Sequence, residues 1–183
     1  HGVSTNLAVK IYKKYGDDSL QIVRKTPYRL VNDVYGIGFK TADKIAQAMG
    51  LAHDDPNRIE AGIAYTLNRK AEEGHVYMPQ EDLEPEAAEI LTVEQEKVTQ
   101  VIDQLETSDF IKRETITYDI NKESGRQPPK SSLTKSVGEP TALNEERAVY
   151  LTQLYYSEIG VTNRVRQLVQ NRASRLQTLR TIS

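Results

Sequence analysis

The chain of 183 residues has no cysteine, no tryptophan and only two phenylalanines. Without cysteine it can form neither disulfides nor thiolate metal sites, which fits a reducing compartment, and the expected location is the cytoplasm. His1, His53 and His75 stand too far apart in sequence to show ligand spacing, so no metal is expected. No apolar run reaches the length of a membrane span and no secretory signal is read, so no membrane partner is expected. A small-molecule substrate is not expected either. With so few large rings of other kinds, the core must rest on Leu, Ile, Val, Ala and the ten tyrosines.

What is present is unevenly spread. The net charge of −2 conceals three blocks. Residues 1–50 carry 8 Lys/Arg against 4 Asp/Glu, residues 51–110 carry 4 against 15, and residues 111–183 carry 12 against 7. The whole-chain isoelectric point near 6.0 therefore says little about the basic ends, where a nucleic-acid footprint would sit.

The first fifty residues contain a repeat. "GVSTNLAVKIYKKYG" (2–16) aligns with "GIGFKTADKIAQAMG" (36–50) at an offset of 34, with Gly2/Gly36, Ala8/Ala42, Lys10/Lys44, Ile11/Ile45 and Gly16/Gly50 identical. Each copy reads as a glycine, an aliphatic, a small residue, a helix of about ten residues and a closing glycine. In the second copy Phe39, Ala42, Ile45, Ala46 and Met49 share one helical face, and Lys40, Lys44 and Gln47 share another. Gly36 and Gly38 bracket Ile37, a spacing that suits a tight hairpin, with positive φ available to both glycines and Ile37 as the plug into the core. A helix beginning there presents bare amide N–H groups that attract phosphate.

A nucleotide-binding phosphate loop is excluded, because Phe39 separates Gly38 from Lys40 and the required four-residue spacing is absent. The pattern matches a helix-hairpin-helix element, whose hairpin amides hold a DNA backbone phosphate. The candidate contacts are Gly2, Val3, Ser4, Thr5 and Lys10 in the first copy. In the second they are Gly36, Ile37, Gly38, Phe39, Lys40, Thr41 and Lys44. The alternative is that the glycines only make a turn. Asp43 reads as helix-surface charge, since one carboxylate cannot supply two-metal chemistry.

"TPYRLVNDVYGIGFKTADKIAQAMGL", with "HGVSTNLAVKIYKKYG" before it, resembles the N-terminal region of RecD-like (RecD/TraA type) ATP-dependent DNA helicases, relatives of the exodeoxyribonuclease V alpha subunit. "RIEAGIAYTLNRKAEEGHVYMP" and "AVYLTQLYYSEIGVTNRVRQL" extend the resemblance. It implies bacterial DNA repair or recombination, with tandem hairpin units ahead of two motor domains that use ATP and magnesium. This chain contains neither motor motif, so the expectation is a non-catalytic region without cofactor, its partners being DNA and the motor domains of the same polypeptide. The helix that should precede the first hairpin is missing before His1. Either that unit is incomplete or the chain is cut from a longer protein.

The expected fold is mainly α: tandem helix-hairpin-helix units over residues 1–52, the first truncated at its N-terminus, then a small winged-helix-like α+β module over 53–120. The module reads as helix 57–73, strand 75–79, helices 85–91 and 94–107, and strand 110–120. Residues 121–146 read as a mobile loop. A strand at 147–151 follows, pairing with 115–120, then a C-terminal helix over 152–180 with Leu, Val and Arg positions that would lead to the motors. The third helix of the module carries Glu94, Glu96, Asp103, Glu106 and Asp109 against Lys97, which counts against DNA approaching it. A protein-binding scaffold is the competing function.

Overall fold

The structure is a computed structural model, and it describes residues 4–119 and 143–170. The described part opens with helix α1 (Thr5–Tyr15). A 3-10 turn (Gly16–Asp18), α2 (Ser19–Lys25), the short α3 (Arg29–Asp33) and α4 (Phe39–Ala48) follow. Local chemistry explains the boundaries. Ser4 caps α1, its hydroxyl accepting from the Leu7 amide at 3.4 Å. Gly50, at φ +92°, ends α4: its amide bonds to the Gln47 carbonyl, and that of Leu51 to the Ala46 carbonyl.

The second half comprises α5 (Pro56–Glu72), β1 (Met78–Pro79), α6 (Gln80–Leu91), α7 (Gln95–Thr107), β2 (Ile111–Asp119), β3 (Leu143–Leu151) and α8 (Thr152–Gln170). Asp55 caps α5 by accepting from the Asn57 amide, and Pro56 sits at the first helical position, where no N–H is needed. The sheet is antiparallel in the order β1-β3-β2, with Met78 opposite Val149 and Ile111 opposite Leu151. Helix, short strand, two helices and a strand pair is the winged-helix-like order expected, and the fold is α-rich with one small β module.

Three boundaries differ from expectation. Helix α6 begins at Gln80 and runs through Pro85, which reads in sequence as a boundary. Leu83, Ala87, Ala88 and Leu91 form a buried stripe against α5 and α7, and that packing keeps the helix continuous across the proline. Strand β1 is shorter than 75–79. Strand β3 starts at Leu143, inside the stretch assigned to a loop, because it pairs along the whole of β2. The rest of that loop, 121–142, lies outside the described residues, as does the expected helix beyond Gln170.

Two apolar clusters hold the fold. One gathers Ile11, Leu30, Val34, Ile37, Ala42 and Ile45. The larger joins α5, α6, α7 and the sheet, with Ile59, Ile63, Leu83, Leu91, Val98 and Ile102 among its members. Phe39, from the first turn of α4, belongs to the larger cluster, stacked against Tyr65 with ring centroids 4.9 Å apart. Tyr28 packs against both clusters and stacks on the other side of Phe39 at 5.9 Å. Gly62 on α5 lets Leu91 of α6 approach so closely that a Cβ there would lie 2.6 Å from its methyls.

Candidate nucleic-acid interface

The second hairpin is built as its spacing predicts, with one difference. Gly36 takes φ +87°, which favours glycine. Gly38 is extended at φ −90°, ψ 173°, so its backbone needs no glycine. An added Cβ there would meet nothing within 4 Å, so the position lies open. Between them Ile37 is buried, and its amide donates to the Val34 carbonyl at 3.1 Å.

Beyond Ile37 the main chain is open. Gly38 is the N-cap of α4, and its carbonyl accepts from the Thr41 and Ala42 amides, each at 3.0 Å. Among the described residues the amides of Gly36, Gly38, Phe39 and Lys40 have no hydrogen-bond acceptor. No side chain caps the helix, and there is no acidic residue in its first turn. These open N–H groups stand at the positive end of a ten-residue helix, where the helix dipole favours negative charge. Lys40 and Lys44, one helical turn apart, are exposed, and neither forms an ion pair among the described residues.

The other candidate residues fall into groups. The side chains of Ile37 and Phe39 are buried, so they can meet a ligand only through the main chain. Thr41 is half-buried. In the first copy, Gly2 and Val3 lie outside the described residues. Thr5 is exposed. Ser4, which occupies the place of Gly38, turns its hydroxyl onto the helix that it caps. Lys10, the counterpart of Lys44, reaches across to the second hairpin: its Nζ donates to the Tyr35 carbonyl at 3.3 Å, and an added Cβ on Gly36 would stand 3.3 Å from the same nitrogen. The two copies thus meet at one hairpin.

Asp43 is not the plain surface charge expected. Its carboxylate accepts from the Tyr28 hydroxyl at 2.7 Å, from Arg58 Nε at 2.9 Å and Nη2 at 3.0 Å, and from Gln47 at 3.0 Å. Arg58 is 2% exposed, and its Nη1 donates to the carbonyls of His53 and Leu91. This network ties the hairpin helix to α5 and to the end of α6. Burial, then the hydrogen bond to Asp43, pushes the Tyr28 phenol well above its ordinary range.

The acids of α7 are partly neutralised. Arg113 of β2 pairs with Asp103 and Glu106, while the lysine of α7 itself, Lys97, is taken up by Asp54 ahead of α5. Glu84 is buried and accepts from Gln80 and Gln95. These contacts bind the module to itself and present no basic face for DNA on α7.

Residue 35 is the one that sequence reasoning passed over. Tyr35 directly precedes Gly36 and is 96% exposed. A large ring adjoining a glycine turn, with no place in either helical face, was the signal available.

Comparison with known proteins agrees with this geometry. Residues 1–77 match the family described as the ATP-dependent RecD2 DNA helicase HHH domain. The ATP-dependent RecD2 DNA helicase of Deinococcus radiodurans is 40% identical over 79 residues, which is 43% of this chain and 11% of that helicase. The family match takes in the hairpins, α5 and the approach to β1. Residues 1–77 therefore resemble the helix-hairpin-helix domain of RecD2-type DNA helicases, a likeness that supports an N-terminal RecD-like helicase region.

Proposed function

We propose that this chain is a non-catalytic DNA-binding region of a RecD-like 5′–3′ helicase, and that it grips backbone phosphate without reading sequence. The observation that carries the reading is the set of open amides at Gly36, Gly38, Phe39 and Lys40, with Lys40 and Lys44 beside them. A main-chain cradle contacts phosphate and touches no base edge, so it supplies affinity and register and no sequence preference. With few phosphates held, affinity is modest and falls steeply with salt. ATP and magnesium would serve the motor domains of a parent helicase, and no cofactor is assigned to this chain. The test is titration of labelled duplex, tailed and single-stranded DNA at two salt concentrations with wild type and Gly38→Asp. Binding that ignores both the salt and the substitution would remove the hairpin from the account.

A second reading is favoured by α8. Tyr156, Ile159, Val165, Leu168 and Val169 are all exposed along it. A scaffold that docks this apolar surface on the motor domains or on a repair partner would use them. In that case the chain binds DNA no better than any protein of similar charge.

A further inference from the structure

The ring of Tyr35 stands beside the open amides with its faces bare. It makes no aromatic contact and its hydroxyl no hydrogen bond among the described residues, and it is the most exposed of the large apolar side chains there. Elsewhere in this half of the molecule tyrosines are occupied: Tyr28 and Tyr15 each bond an aspartate. The position of Tyr35 is held from both sides. Gly36 turns the chain at positive φ, and Lys10 fixes the Tyr35 carbonyl at 3.3 Å. The ring is therefore presented to solvent from a pinned main chain at the lip of the anion cradle.

A nucleic acid brings a base with every phosphate. With a phosphate on the amides of Gly38 to Lys40, the flanking base lies within side-chain reach of residue 35. Inside a closed duplex both faces of that base are covered by its neighbours. In a single strand, or at a frayed end, one face is free, and a tyrosine ring can cover it without regard to base identity. We infer that Tyr35 stacks on the base beside the gripped phosphate, so that this hairpin prefers strands with unpaired bases to closed duplex. The inference rests on the phosphate-binding reading above and adds the class of DNA to it.

The experiment uses the whole chain. Affinity is measured for a labelled strand of deoxythymidines and for an abasic strand of equal length, which keeps the phosphates and lacks the bases, with closed circular duplex as competitor. Wild type should hold the deoxythymidine strand about tenfold tighter than the abasic one. Tyr35→Ala should close that gap and Tyr35→Phe should keep it. Because the chain has no tryptophan, Tyr35→Trp installs a single reporter. Its indole emission should be quenched by the deoxythymidine strand and not by the abasic one. Thermal melting checks that the variants fold, as substitution at an exposed side chain leaves the core alone. A gap that survives Tyr35→Ala, or an indole emission indifferent to bases in the Tyr35→Trp variant, overturns the inference. Gly38→Asp separates the two levels. If it weakens binding to both strands while Tyr35→Ala does nothing, stacking fails and the phosphate cradle stands. If Gly38→Asp changes neither strand, the cradle itself fails, and the inference with it.

Discussion

Arg58 holds Asp43 through two nitrogens, Nε at 2.9 Å and Nη2 at 3.0 Å, from a side chain that is almost wholly buried. The pair joins two parts of the chain that the repeat alone would leave separate. With the remaining Nη1 on two carbonyls, the guanidinium makes four hydrogen bonds, and removing it leaves two carbonyls without a donor and the half-buried Asp43 carboxylate with Tyr28 and Gln47 but no counter-charge. Arg58→Ala is expected to cost about 3–5 kcal/mol in urea unfolding. Arg58→Lys should recover little, because an ammonium cannot reproduce the fork.

Gly38→Asp separates stability from binding. The backbone at residue 38 is already extended and has room for a side chain, so an aspartate there becomes an ordinary N-cap. The melting temperature should stay level or rise, by a few tenths of a kcal/mol in stability terms. DNA affinity in fluorescence anisotropy should fall about tenfold, since the carboxylate takes up the amides and repels phosphate, the loss of one charge-assisted contact being worth ~1.5–3 kcal/mol.

Gly36→Ala should do the opposite. At φ +87° a side chain is strained by ~1–2 kcal/mol, and the new methyl presses on Lys10 Nζ. Denaturant titration should report that loss even where no DNA is present.

The contrast between these glycines marks how far the sequence could be read. Their spacing with Ile37 disclosed the hairpin, the repeat disclosed the helices, and Gly50 disclosed where α4 stops. Periodicity cannot say which glycine is required by its dihedral and which is not, because both spell the same letter. Asp43 looked like surface charge because its partners, Tyr28 and Arg58, are each 15 residues away and meet it only on folding. Pro85 hid the start of α6 for a similar reason. A local rule about proline was overridden by a buried stripe that exists only once α5 and α7 are in place.

Gly62→Ala tests the closest helix contact. A Cβ there would collide with the Leu91 side chain, which is itself fully buried. The expected cost is ~1–3 kcal/mol, from overpacking. Paired with Leu91→Ala, part of it should return, and a double-mutant cycle measures how much.

Alkaline pH should unfold the chain by way of its tyrosines. Burial, with help from Asp33, pushes the Tyr15 phenol up to about 12, and burial, with help from Glu114, does the same for Tyr150. Tyr28 is pushed upward as well. A raised value means that the folded protein keeps protons which the unfolded chain gives up near 10. The stabilisation is thus complete below about pH 10 and drains away as the pH climbs toward 12. Tyrosinate absorbance should show these rings titrating late and together with loss of helical circular dichroism. Tyr28→Phe, which removes the bond to Asp43, should cost about 1 kcal/mol at neutral pH.

The reach of Lys10 to the Tyr35 carbonyl makes the duplicated halves unequal. A lysine inherited at matching places, 10 and 44, faces outward in one half and braces a neighbour's bend in the other. Such a division of labour leaves the two halves under different constraints. The repeat thus holds an abutment and an arch: one lysine carries the load of a bend, and its counterpart is left free to meet solvent.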